Sequence, residues 1–230
     1  MAKKLKNKIA RLFNVLGKEK QAKLKFDFVF GKYKDYTMIP RETFNYNLLV
    51  CEQAKIIPGA IVECGVWRGG MMAGMVEVFG NNREYFLFDS FEGLPPVKDI
   101  DGDSARRWQE DKGSSNYYDN CKAEIEYAHK AMELSGAQNV RFIKGWFSET
   151  LPQYDKKIPI ALLRLDCDWY DSVIDCLETL FPLVAKGGII IIDDYFAWDG
   201  CSIAVHDYLS KYKLSNRLNT VERRLAYIIK

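Results

Sequence analysis

A chain of 230 residues with 48% hydrophobic and 13% aromatic side chains can bury a sizeable core, which excludes disorder of the whole. No apolar run reaches the eighteen residues a membrane span needs, and no signal-peptide pattern opens the chain, so a soluble, cytoplasmic protein is expected. The net charge of +2 hides a split: residues 1–25 hold nine of the 33 Lys/Arg and one of the 31 Asp/Glu, leaving a mildly acidic body that argues against a nucleic-acid groove.

In the basic start, Leu5, Ile9, Leu12, Phe13 and Leu16 fall on one helical face, with lysines opposite and Gly17 as a stop. This predicts a surface or dimer-forming helix, with a membrane-surface anchor as the alternative. An aromatic-rich linker is expected next, so residues 1–35 form a helix-and-linker extension and residues 36–230 the main domain. Helical spacing from Glu42 to Lys55 ends at Pro58-Gly59.

Strand-like and helix-like segments then alternate. Strands are expected at 60–64, 85–89, 140–145, 160–166 and 188–193, and helices at about 70–79, 119–134 and 171–185. This βαβα order predicts a doubly wound, Rossmann-like α/β fold, a mostly parallel sheet with helices on both faces. Residues 96–118 are polar, turn-rich and long for a connection, which suggests a lid.

The first strand runs into ECGVWRGG, where Gly65 and Gly69 let backbone pass close to a ligand. The pattern is not G-x-G-x-x-G, because Val66, Trp67 and Arg68 fill the interval, and a nicotinamide dehydrogenase is disfavoured. An acid, Glu63, before such a loop suits a ligand with a cationic amino-acid end. Asp89 closes the second strand, where α/β nucleoside binders grip ribose hydroxyls; a turn cap is the structural alternative.

The fourth strand delivers Asp166 and Asp168 in RLDCDWY, and the fifth delivers Asp193 and Asp194 in GGIIIIDDYF. Adjacent carboxylates at the exit of a strand buried on both faces repel each other and resist desolvation, so something must neutralise them. Carboxylates from neighbouring strand tips converge at the carboxyl end of a parallel sheet, and a hard divalent cation, Mg²⁺ most simply, is their natural counterion. Helix capping, pairing with lysine, or a nucleotide-sugar D-x-D site are alternatives for a single such pair. The six scattered cysteines fit reduced, mostly buried thiols, and His129 and His206 read as structural.

ECGVWRGG, LFDSFEGLP, FIKGWFSETLP, LLRLDCDWYDSVIDCLETLFP and GGIIIIDDY, in this order, resemble the macrocin O-methyltransferase family of sugar O-methyltransferases. The resemblance covers roughly residues 36–230. It implies a class I S-adenosylmethionine-dependent fold with a divalent metal. Glu63 and the loop Gly65, Val66, Trp67, Arg68 and Gly69 would hold the methionine end of the cofactor. Asp89 and Ser90 would meet the ribose and adenine side, Gly145, Trp146 and Phe147 would flank adenine, and Met38 would touch the cofactor. Asp166, Asp193 and Asp194 match the metal ligands and Asp168 the general base. Cys167 departs from the glycine common in that family, and the lid diverges. The expected acceptor is a small-molecule or glycan hydroxyl, on a homo-oligomer built through the amino-terminal helix. A catechol-type acceptor and a non-catalytic binding protein on the same fold are the rival readings.

Overall fold

The computed structural model describes residues 23–230, so the predicted stripe from Leu5 to Leu16 lies outside the described residues. Helix α1 (23–33) is followed by α2 (Arg41–Ala54), β1 (Ala60–Cys64), α3 (Gly70–Phe79), β2 (Glu84–Asp89), α4 (Gly102–Glu110), α5 (Ile125–Ser135) and β3 (Asn139–Lys144). Then come α6 (Phe147–Thr150), β4 (Ile160–Leu165), α7 (Tyr170–Leu180), β5 (Val184–Ile192), α8 (Asp199–Lys211), β6 (Leu218–Val221) and β7 (Leu225–Ile229).

The strands form one sheet in the order β3-β2-β1-β4-β5-β7-β6. The first five are mutually parallel, and β7 and β6 are added antiparallel. Alternation along the strands splits the core in two. Ile61, Leu87, Leu162 and Ile191 face α1, α2, α3 and α5. Val62, Phe88, Leu163 and Ile192 face α7 and α8. Each fully buried side chain of this kind contributes about 1.5–3 kcal/mol against exposure. The order of strand addition reverses between the parallel neighbours β1 and β4, and a cleft opens at their carboxyl ends, where ligands bind in open α/β sheets.

Several boundaries differ from the expected ones. Residues 23–33, expected in a linker, form a helix because Phe26, Val29 and Tyr33 bury themselves in the core beside α3. Tyr33 also donates to Glu77 at 2.7 Å. The helix expected from residue 119 begins at Ile125, since Tyr118, Asp119, Asn120 and Cys121 all have left-handed backbone. Asn120 fixes that turn by donating to the Leu94 carbonyl at 2.7 Å and accepting from Gln109 at 3.0 Å.

The expected lid is a folded cap containing α4. Buried Asp101 pins it, accepting from the Tyr170 amide and the Lys98 amide, each at 2.8 Å. The carboxyl-terminal helix and hairpin carry no early motif and went unpredicted. Among the described residues no helix is long and apolar enough to cross a membrane.

Candidate active site

The site begins with Arg164, which occupies the middle of a strand that is otherwise apolar. In the sheet it lies directly beside Glu63, its register partner on β1. Its side chain is fully buried and reaches Glu63 at 2.7 Å, Asp166 at 2.8 Å and Asp193 at 2.9 Å. Asn47 of α2 completes the cage, accepting from Arg164 Nε and donating to Asp193 Oδ1, both at 3.0 Å. A planar guanidinium with five donors can serve three carboxylates at once; an ammonium cannot. An arginine therefore neutralises part of the buried charge for which the sequence suggested a metal, with helix capping or a lysine as the alternatives.

Even so, the acids of the site are under-compensated. Burial pushes Glu63 up to about 8 against the pull of Arg164. Burial likewise raises Asp166 to about 6, again against Arg164, and Asp168 to about 7 with help from Asp166. Asp194 is held well above the usual carboxylate range by burial and by Asp168. Glu63 Oε2 is buried with no hydrogen-bond partner among the described residues.

Asp166, Asp193 and Asp194 each offer an oxygen within 4.8 Å of the others. One oxygen of each is tied back: Asp166 Oδ2 and Asp193 Oδ1 to Arg164, and Asp194 Oδ2 to the Asp168 amide at 3.2 Å. The other oxygen of each accepts no hydrogen bond from the described residues. That arrangement suits a hard divalent cation taking carboxylate oxygens and retained waters.

Asp168 does not continue β4, which ends at Leu165. It is the centre of a tight turn with φ 57°, closed by the Trp169 amide donating to the Cys167 carbonyl at 2.7 Å. It still reaches the cleft beside Asp166. Asp89 is a clamp on the glycine loop. Its Oδ2 accepts from the amides of Val66 at 2.6 Å and Trp67 at 2.8 Å, and its Oδ1 from Phe91 at 2.6 Å. Gly65 is required where it stands, since a Cβ there would lie 1.7 Å from the Asp166 carbonyl oxygen.

These residues surround a cleft of about 630 Å³. Met38, Glu63, Gly65, Val66, Trp67, Asp89, Ser90, Gly145, Trp146, Phe147, Asp166, Asp168, Asp193 and Asp194 all line it. Arg68 and Gly69 do not. The Arg68 guanidinium is stacked between the rings of Trp67 and Tyr127, 4.4 and 4.5 Å from their centroids. Gly69 packs on Ala128 at the start of α3. Among the described residues, eight carboxylates and no Lys or Arg line the cleft, which favours cationic ligands and resists phosphates. Sequence reading missed Arg164 and Asn47; a lone arginine inside an apolar strand was the available signal.

The family model described as Macrocin-O-methyltransferase (TylF) matches residues 28–230. The 8-demethyl-8-(2,3-dimethoxy-alpha-L-rhamnosyl)-tetracenomycin-C 4'-O-methyltransferase of Streptomyces olivaceus is 35% identical over 76% of this chain and 69% of its own length. The demethyldecarbamoylnovobiocin O-methyltransferase of Streptomyces niveus is 35% identical over 74% of this chain and 66% of its own. This chain thus spans about two thirds of each relative. The solved O-methyltransferase NovP superposes with a TM-score of 0.71 at 30% identity, covering 85% of this chain and 82% of that one.

Proposed function

This chain belongs to the macrocin O-methyltransferase family, whose members use S-adenosylmethionine, and from that premise we propose that it methylates a hydroxyl of a sugar or glycoside with the help of a divalent cation. The observation that carries the reading is the convergence of Asp166, Asp193 and Asp194 beside Asp168 in an anionic cleft. The two Streptomyces relatives, named for a rhamnosyl-bearing and a novobiocin-type acceptor, support the substrate class.

S-adenosylmethionine, when bound, supplies a methyl group on a sulfonium, already a good electrophile. A divalent cation on the three aspartates would supply positive charge where the acceptor oxygen gains negative charge. The protein's own tasks are positioning and deprotonation. The orphaned Oε2 of Glu63 fits the cofactor's ammonium, and the sharp turn at Gly65 lets the loop backbone approach it. Asp89 holds that loop and has acceptor capacity left on Oδ1 for a ribose hydroxyl. Gly145, Trp146 and Phe147 offer the wall for adenine, with Ser90 and Met38 on the same cleft.

Asp168 takes the acceptor proton. A carboxylate raised to about 7 accepts a proton near neutral pH better than an ordinary aspartate would. The acceptor O–H bond breaks toward Asp168, an O–CH₃ bond forms, and the S–CH₃ bond breaks. Asp168 then returns its proton to solvent.

The test is methyl transfer from radiolabelled S-adenosylmethionine to a panel of simple glycosides, glycosylated antibiotics and catechols, with Mg²⁺ or with EDTA. Transfer to a sugar hydroxyl that stops in EDTA and resumes with Mg²⁺ is expected. Full activity in chelator overturns the metal role, and turnover of catechols alone overturns the substrate class.

A further inference from the structure

Asp168 is held in an unusual way. A three-residue turn with the central residue on the left-handed side is rare and strained, and survives only where its surroundings over-determine it. Here the Asp168 amide donates to Asp194 Oδ2, and the Trp198 indole N–H donates to Asp168 Oδ1 at 2.8 Å. Indole is a donor only, so it fixes the carboxylate without competing for the proton. Oδ2 is left as the acceptor.

Trp198 immediately precedes α8, and its amide donates to the Asp194 carbonyl at 3.1 Å. Its ring stands edge-on to Trp169 at 5.3 Å and to Trp108 at 6.0 Å. Trp169 neighbours Asp168 in sequence, is buried, and donates to the Pro95 carbonyl at 3.0 Å. Trp108 belongs to α4, and Trp108 and Trp169 also meet at 6.0 Å. The start of α4 fits tightly on α8, since a Cβ on Gly102 would lie 2.6 Å from Asp199 and one on Gly200 2.3 Å from Asp101.

We propose that Trp198 is a positioning residue for Asp168, and that its stack with Trp108 and Trp169 makes this hold depend on α4 being seated over the cleft. The proposal rests on reading Asp168 as the base. Trp198→Phe keeps an aromatic ring in the stack but removes the N–H together with the five-membered ring that carries it. With the panel acceptor that the wild-type enzyme turns over fastest, kcat should fall about 10- to 100-fold, as for loss of a hydrogen bond to a charged group, with both KM values nearly unchanged. Adding Trp198→Phe to Asp168→Ala should cost nothing further.

A second readout needs no acceptor. In isotope-labelled full-length protein, the indole N–H resonance that Trp198→Phe deletes should shift in Asp168→Ala and in Trp108→Leu. Wild-type kcat in Trp198→Phe with an inactive Asp168→Ala overturns the positioning role and leaves the base reading standing. Equal fractional losses on both backgrounds, or an indole resonance indifferent to Asp168→Ala, also overturn it. A resonance indifferent to Trp108→Leu overturns the dependence on α4. Wild-type kcat in Asp168→Ala instead overturns the base reading itself.

Discussion

Arg164 offers the sharpest test of how this site is held together. Replacing it with leucine keeps an apolar strand residue of moderate size but leaves Glu63, Asp166 and Asp193 without their shared cation. It also strips Asn47 of the Nε donor it accepts from. Removing one partner of a buried ion pair costs about 3–5 kcal/mol, because the opposite charge stays behind uncompensated. For a domain of this size that corresponds to a fall in Tm of roughly 6–20 °C. Calorimetry and urea unfolding at pH 8 would measure it. Arg164→Lys should recover only part of the loss, since one ammonium cannot meet three carboxylates and an amide in a plane. The deficit of Arg164→Leu should also shrink as the pH is lowered toward 5.5, when protonation removes the stranded charge. A leucine variant within about 1 kcal/mol of wild type would refute the view that this arginine neutralises the strand tips.

The same carboxylates set a pH dependence. Glu63, Asp166 and Asp168 have folded-state pKa values of about 8, 6 and 7, raised above their unfolded values, so the folded protein binds more protons between about pH 4.5 and 8. Ligand-free stability should therefore decline as pH rises through that window, and urea midpoints that rise instead would contradict it. Mg²⁺ should raise the Tm more at pH 8 than at pH 6, because ligand oxygens must be deprotonated, and Asp193→Asn should blunt the shift. Asp89→Ala should weaken S-adenosylmethionine binding by at least about 1–3 kcal/mol in calorimetry, since it frees two loop amides as well as any ribose contact; unchanged affinity would move the ribose site elsewhere. Deleting residues 1–22 should lower the oligomeric mass by light scattering; unchanged mass with lost liposome binding would favour a membrane contact.

The sheet was legible because parallel strands buried on both faces leave unbroken apolar runs, and β1, β2, β4 and β5 follow those runs closely, while edge strand β3 shows alternation instead. The cleft was legible because such a sheet collects ligands at its strand tips, and carboxylates there have no core role to explain them. Other features were not legible, three of them for distinct physical reasons. Arg164 looked like one more charge beside a charged motif, because sequence gives no burial, and only the β1–β4 register puts it against Glu63. The left-handed run at Tyr118–Cys121 is set by Asn120 bonds to Leu94 and Gln109, contacts that local propensity cannot report. The cap around α4 reads as polar loop because its buried polar anchor, Asp101, is a carboxylate whose burial depends on the helix ends that it meets.

Arg164 and a bound cation do different work at this site. The arginine sits behind the strand tips, inside the sheet, and lets Glu63, Asp166 and Asp193 exist in a folded chain with nothing bound. It cannot serve Asp168, Asp194 or the free oxygen of Glu63, which stay under-compensated and hold their protons. A neutral cleft would bind a sulfonium and a divalent ion with less electrostatic gain, and a cleft without the arginine would lose stability to self-repulsion. With one buried cation for several acids among the described residues, the unliganded protein keeps an electrostatic deficit that cationic ligands relieve on binding. By linkage, whatever stability those ligands restore appears as their affinity.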